Sequence, residues 1–169
     1  MINAEKHGKN FLNALFNTSK KTSGNTISFS LTPYIALFTT MPDENGSNYK
    51  EPTSSEYARV LLTNTGAYGK QMIGVATTED GTGKNEGKKV AKVTNQDLIT
   101  FPEARSVGFG EIVGFGIFET ATTGVGACML WGKLGSYSDD TDEFIEETVN
   151  IAANEIPIFR IGDFEIIFS

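Results

Sequence analysis

The chain has 169 residues, 39% hydrophobic and 21% charged, with a net charge of -7 and a single cysteine. That is enough for one ordinary globular domain with a real core, and it excludes a disordered chain and an internal disulfide. The acidic balance argues against nucleic acid as the main partner, because phosphate binding needs clustered Lys and Arg, and here only Lys20-Lys21 and Lys88-Lys89 pair up.

Residues 3 to 17 read as the one helix. Asn3 is placed to cap it and Glu5 to complement its dipole. Ala4, Phe11, Leu12, Leu15 and Phe16 recur at helical spacing and form an apolar stripe. So short a helix is marginal alone, so the stripe should lie on its own domain or on a neighbouring subunit. The opening "MINAEKHGKN" is polar where a secretion signal turns apolar, and no run approaches the roughly 18 apolar residues of a membrane span. The expectation is a protein made in a cytoplasm, with no membrane partner.

Beyond residue 20 the character changes. All but one of the 18 glycines lie there, among short runs rich in Thr, Val, Ile and Phe. "YIALFTT" alternates two faces and predicts a strand, followed by the polar loop "MPDENGSNYKEPTSSE" and a strand opened by "YARVLLT". "KQMIGVATT" and "KKVAKVTN" flank a glycine-rich hairpin turn. "DLITFPEA" is a strand that Pro102 stops or displaces to an edge. "EIVGFGIFET" alternates, and its glycines suit close approach by a neighbour. "GACMLWGKLG" is a further strand, and "VNIAANEIPIFRIGDFEIIF" holds two more, broken near Arg160-Gly162. The pattern predicts an all-β fold, an antiparallel β-sandwich of jelly-roll type with a short N-terminal α-helix. Its division is a helical segment over 1–22 and a β-sandwich domain over 23–169.

Chemistry is sparse. One His and one Cys, far apart, make no common metal site. His7 reads as a solvated helix residue and Cys128 as a buried structural thiol. The acidic run Asp139, Asp140, Asp142 and Glu143 lacks ordered calcium-loop spacing and reads as a solvated loop. A serine triad would need His7 as base and has no GxSxG elbow. "GFGIFE" and "GVGACM" precede no helix, so they are strand glycines and not phosphate fingerprints. Trp131 sits in an apolar strand and is expected in the core. The residues therefore predict no enzyme, no cofactor and no metal. Tyr57 and Arg59 stand at the mouth of a strand, as part of a site or as a recurring piece of architecture.

The segments "NFLNALFN", "YIALFTTMPDENG", "SSEYARV", "ITFPEA", "IVGFGIFET", "CMLWGKL" and "IFRIGDFEIIF" occur in an order that spans nearly the whole chain. In that order the sequence resembles a family of small virion proteins of tailed bacteriophages, often labelled tail-fibre-like. Two stretches depart from it: 63–95 is longer, and 137–147 is an acidic insertion. The resemblance implies a non-enzymatic structural component of a virion, assembled in the host cytoplasm. It would be an accessory protein on the tail or baseplate, as a fibre or fibre adaptor, or a decoration of the head. Its partners would be other virion proteins, tail, baseplate or major capsid, and further copies of itself in a homo-oligomer such as a trimer. Phe11, Leu12, Leu15 and Phe16 are then the candidate docking face, and Tyr57 and Arg59 a structural motif. The resemblance implies that Tyr57 covers the end of the core with its hydroxyl reaching a turn, and that Arg59 pairs with an acidic or carbonyl group across the sheet. The alternative from another class is a carbohydrate-binding module of β-sandwich type, which would need exposed aromatics or a calcium held at 139–143.

Overall fold

A computed structural model describes residues 9–16, 32–62, 72–74, 76–81, 87–138 and 143–168. Over these the chain is all-β with one short helix, and the strand pairings are antiparallel. This is the class expected from the alternation of the sequence, consistent with a β-sandwich. Two compact units divide the chain. Unit 1 takes 1–31, 62–99 and 159–169; unit 2 takes 32–61 and 100–158.

In unit 1, helix α1 (Lys9–Phe16) accompanies strands β3 (Thr77–Asp80), β4 (Lys89–Thr94) and β13 (Glu165–Phe168). The sheet order is β13-β4-β3, so β4 is central, and its Val90, Ala91 and Val93 are buried. The helix packs on β4. Its Leu12, Leu15 and Phe16 are buried, Phe16 meets Phe164 edge to face at 6.5 Å, and the Asn13 Oδ1 accepts the Ala76 N–H at 2.8 Å. Eight residues of helix gain most of their stability from such packing, not from propensity. The cap at Asn3 and the first-turn Glu5 lie outside the described residues.

Asn95 organises the turn before β13. Its Nδ2 donates to the carbonyls of Asp97 (2.9 Å) and Arg160 (2.7 Å), and its Oδ1 accepts from the amides of Gly162 (3.1 Å) and Phe164 (3.0 Å). A buried amide side chain is tolerated because all four of its hydrogen-bonding positions are filled.

Unit 2 is built on a four-stranded sheet of order β2-β1-β7-β8. Its strands are β1 (Tyr34–Phe38), β2 (Val60–Leu61), β7 (Gly114–Phe118) and β8 (Leu130–Lys133). Here β1 and β7 are central and almost wholly buried, so "YIALF" is apolar on both faces. One cluster gathers Ala36, Phe38, Phe118 and Cys128, with Met41, Tyr49 and Val113 against it. A Cβ on Gly116 would strike the Phe38 ring and the Cys128 sulfur, which is why that strand position has no side chain. Beyond Val113, β6 (Gly110–Ile112) pairs with β11 (Val149–Ile151), and beyond Leu134, β9 (Gly135–Tyr137) pairs with β10 (Phe144–Glu146). The short strands β5 (Ile99–Thr100) and β12 (Ile158–Phe159) lie where the chain passes from one unit to the other. β5 ends before Pro102, which cannot donate to a ladder.

Trp131 corrects the core expectation. Its strand β8 is the edge of the sheet, and the side chain is 40% exposed. Apolar neighbours in sequence do not tell an edge strand from a central one.

Candidate functional site

The densest polar arrangement in unit 2 surrounds Arg59, in the segment that leads into β2. Its guanidinium grips Glu51 at both carboxylate oxygens, Nη2 to Oε1 at 2.6 Å and Nε to Oε2 at 3.0 Å. The two side chains are 0% and 2% exposed. Nη1 donates to the carbonyls of Thr120 (2.9 Å) and Val125 (3.0 Å), and the guanidinium carbon lies 3.6 Å from the centroid of the Phe118 ring. An arginine fork suits this better than a lysine, since it meets a carboxylate bidentately and stacks on an aromatic face.

Tyr57 completes the arrangement. Its hydroxyl donates to Glu51 Oε2 at 3.1 Å and accepts the Leu37 amide of β1 at 2.8 Å. The ring lies parallel to Phe101 at 6.4 Å and edge to face on Phe109 at 5.4 Å. Glu51 also accepts the Gly124 amide at 2.8 Å. Four segments are thereby tied at one point: the loop before Pro52, the run into β2, strand β1 and the loop 119–127. Burial works against the Arg59 charge, but the hydrogen bonds and charge of Glu51 outweigh it and its pKa is raised. Burial, aided by the Glu51 charge, pushes the Tyr57 phenol well above its ordinary value, so it stays a neutral donor.

Glu51 is the residue that the sequence reading missed. It lies in a run of turn-forming residues that reads as a solvated loop, and the nearer acid, Glu56, does something else. Glu56 accepts the Ser106 amide (3.1 Å) and hydroxyl (2.9 Å), which hold its carboxyl below the usual range. The one sequence signal was a glutamate six residues ahead of Tyr57, without a spacing rule to choose it.

Beside the clasp lies an open cleft of about 620 Å³, lined by Thr39, Tyr49, Glu51, Ser54, Ser55 and Thr123 among others. The Glu51 carboxylate and the Arg59 guanidinium of the clasp are engaged by each other and buried. Burial raises the Cys128 thiol to about 11, so it is not a thiolate nucleophile near neutrality. Among the described residues no three His, Cys, Asp or Glu side chains group as a metal site, and no helix is long and apolar enough to cross a membrane. His7 and the aspartates at 139, 140 and 142 lie outside the described residues; Glu143 is exposed.

The structure brings Tyr57 and Arg59 together with Glu51. It places Leu12, Leu15 and Phe16 in the interior of unit 1, with Phe11 half-buried. Compared with known protein families, residues 5–152 match the model described as podophage GP4 fiber I protein gp80. No curated protein matches the chain.

Proposed function

We infer the function from family membership: the chain belongs to the podophage GP4 fiber I protein gp80 family, and is a fibre-related structural component of a phage virion. We propose that it is an accessory protein attached to the tail or baseplate, as a fibre or an adaptor for one, and not a decoration of the head. Its work is assembly, without catalysis. The family match over 5–152 carries this reading, and the saturated Glu51-Arg59-Tyr57 clasp supports it, since it joins segments instead of presenting free acid or base. The chain is assembled in the host cytoplasm, as a homo-oligomer such as a trimer, and binds neighbouring virion proteins.

Immunogold electron microscopy of purified particles with antibody to this chain tests the location. Label confined to the tail or baseplate is the expected result. Label over the head, or a chain missing from the particle by mass spectrometry, would overturn it. Light scattering of the full-length chain tests self-association.

The alternative reading, a carbohydrate-binding module, draws on one observation, the exposure of Trp131. A glycan-array signal lost in Trp131→Ala with the fold intact would favour it; an array without signal removes it.

A further inference from the structure

We propose that residues 143–150, the run formed by β10 and β11, are a docking edge for an extended segment rich in Lys or Arg, from another protein of the particle. Three observations lead there. First, β10 pairs only with β9, and β11 only with β6, among the described strands. On each, the side turned away from β9 or β6 meets no described strand, the arrangement that strand addition uses. Second, every residue from Glu143 to Asn150 is exposed. Successive strand residues face opposite sides, so Ile145 reaches one face of the β9-β10 arm, with Val149 beyond. Ile145 and Val149 are each 51% exposed. A two-stranded ribbon is marginal alone in water and gains from a third strand.

Third, charge selects the occupant. Glu143, Glu146 and Glu147 stand along this edge; Glu146 pairs with Lys133, and among the described residues the Glu147 carboxylate has a long contact of 3.5 Å to the Ser136 hydroxyl. No described cation forms an ion pair with Glu143 or Glu147. A second copy adding itself antiparallel here would set glutamates against glutamates, in a chain already at -7, and like charges directly opposite are destabilising. The same glutamates favour a strand that carries Lys or Arg between its apolar residues. The edge thus disfavours self-pairing, and any homo-oligomer uses another surface.

The source of the segment rests on the virion reading above; the edge itself does not, so the two fail separately. The probe is a synthetic eight-residue peptide of alternating Lys and Val, with a Glu-Val peptide as its counterpart, added to the full-length chain at low salt. Calorimetry reads affinity, and amide hydrogen exchange reads the place. The Lys-Val peptide is expected to protect amides within 143–150. Affinity should fall roughly tenfold or more in Glu143→Lys/Glu147→Lys and also weaken with salt in the unaltered protein. The Glu-Val peptide should not bind. The proposal is overturned if the Lys-Val peptide gives no protection at 143–150. Equal binding of both peptides, or self-association of the chain through this edge, would also overturn it.

Discussion

At the scale of single residues, the clasp around Arg59 ties four segments of unit 2 together. Arg59→Ala would leave the Glu51 carboxylate buried with no counter-charge, and would release the carbonyls of Thr120 and Val125. Breaking one side of a buried pair costs about 3–5 kcal/mol, so urea unfolding should show a loss of that order. Glu51→Gln should also destabilise, and the double substitution should cost less than the sum by about 1 kcal/mol or more, since the residues share one network. Strict additivity would mean that the clasp is not a unit. A second test is pH. The folded Cys128 thiol stands at about 11 against an ordinary 9.0, and the Tyr57 phenol above its ordinary 10.0. Both folded values are raised, so the stabilisation is complete below about pH 9 and is lost as pH rises. Melting temperatures from pH 8 to 11 should fall, and Cys128→Ala should flatten the part between about 9 and 11. Little of this was legible beforehand. Tyr57 and Arg59 stood out because an aromatic and a cation at a strand mouth are unusual, but a loop acid that folds inward looks like any solvated one. Only the fold reveals that the bridge Thr40↔Lys50 turns the chain back beside β1, with Glu51 next in line.

At the scale of elements, alternation served well where a strand is central. "YIALF" and "GFGIF" appear as β1 and β7, and Pro102 stands just past β5. It served poorly where position in a sheet mattered, because edge and centre share a period of two. Trp131 on β8 is the example. The helix was legible as an amphipathic stripe, but a stripe does not say what covers it. In the structure β4 and Phe164 lie in unit 1 with it. Leu12→Ala or Leu15→Ala should therefore cost about 2–5 kcal/mol, as other deletions of buried leucine side chains do. Hydrogen exchange should show the loss at β4. A chain lacking residues 1–20 should lose protection at β4 instead of giving a folded monomer. Retained protection there would return the stripe to a neighbouring subunit.

At the scale of the whole molecule, unit 1 draws on three separated parts of the chain, and its last part, 159–169, falls beyond the residues that match the family. That part is structural in a specific way. β13 pairs with β4 along Glu165↔Thr94 to Phe168↔Ala91, and the Asn95 side chain is satisfied by Arg160, Gly162 and Phe164. A chain ending at residue 152 would keep every residue of the family match and still strand Asn95, with one carbonyl partner and both amide donors gone. An unsatisfied buried amide costs about 1–3 kcal/mol, and the loss of Phe164, fully buried against Phe16, adds about 3–5 kcal/mol. Those two losses together, about 4–8 kcal/mol, span the lower end of ordinary domain stability, about 5 kcal/mol. The shortened chain should then be cut rapidly by protease within β3 and β4 and show no exchange protection there. Protection that survives the truncation would mean that α1, β3 and β4 hold without β13, and that the family match alone marks out a folding unit.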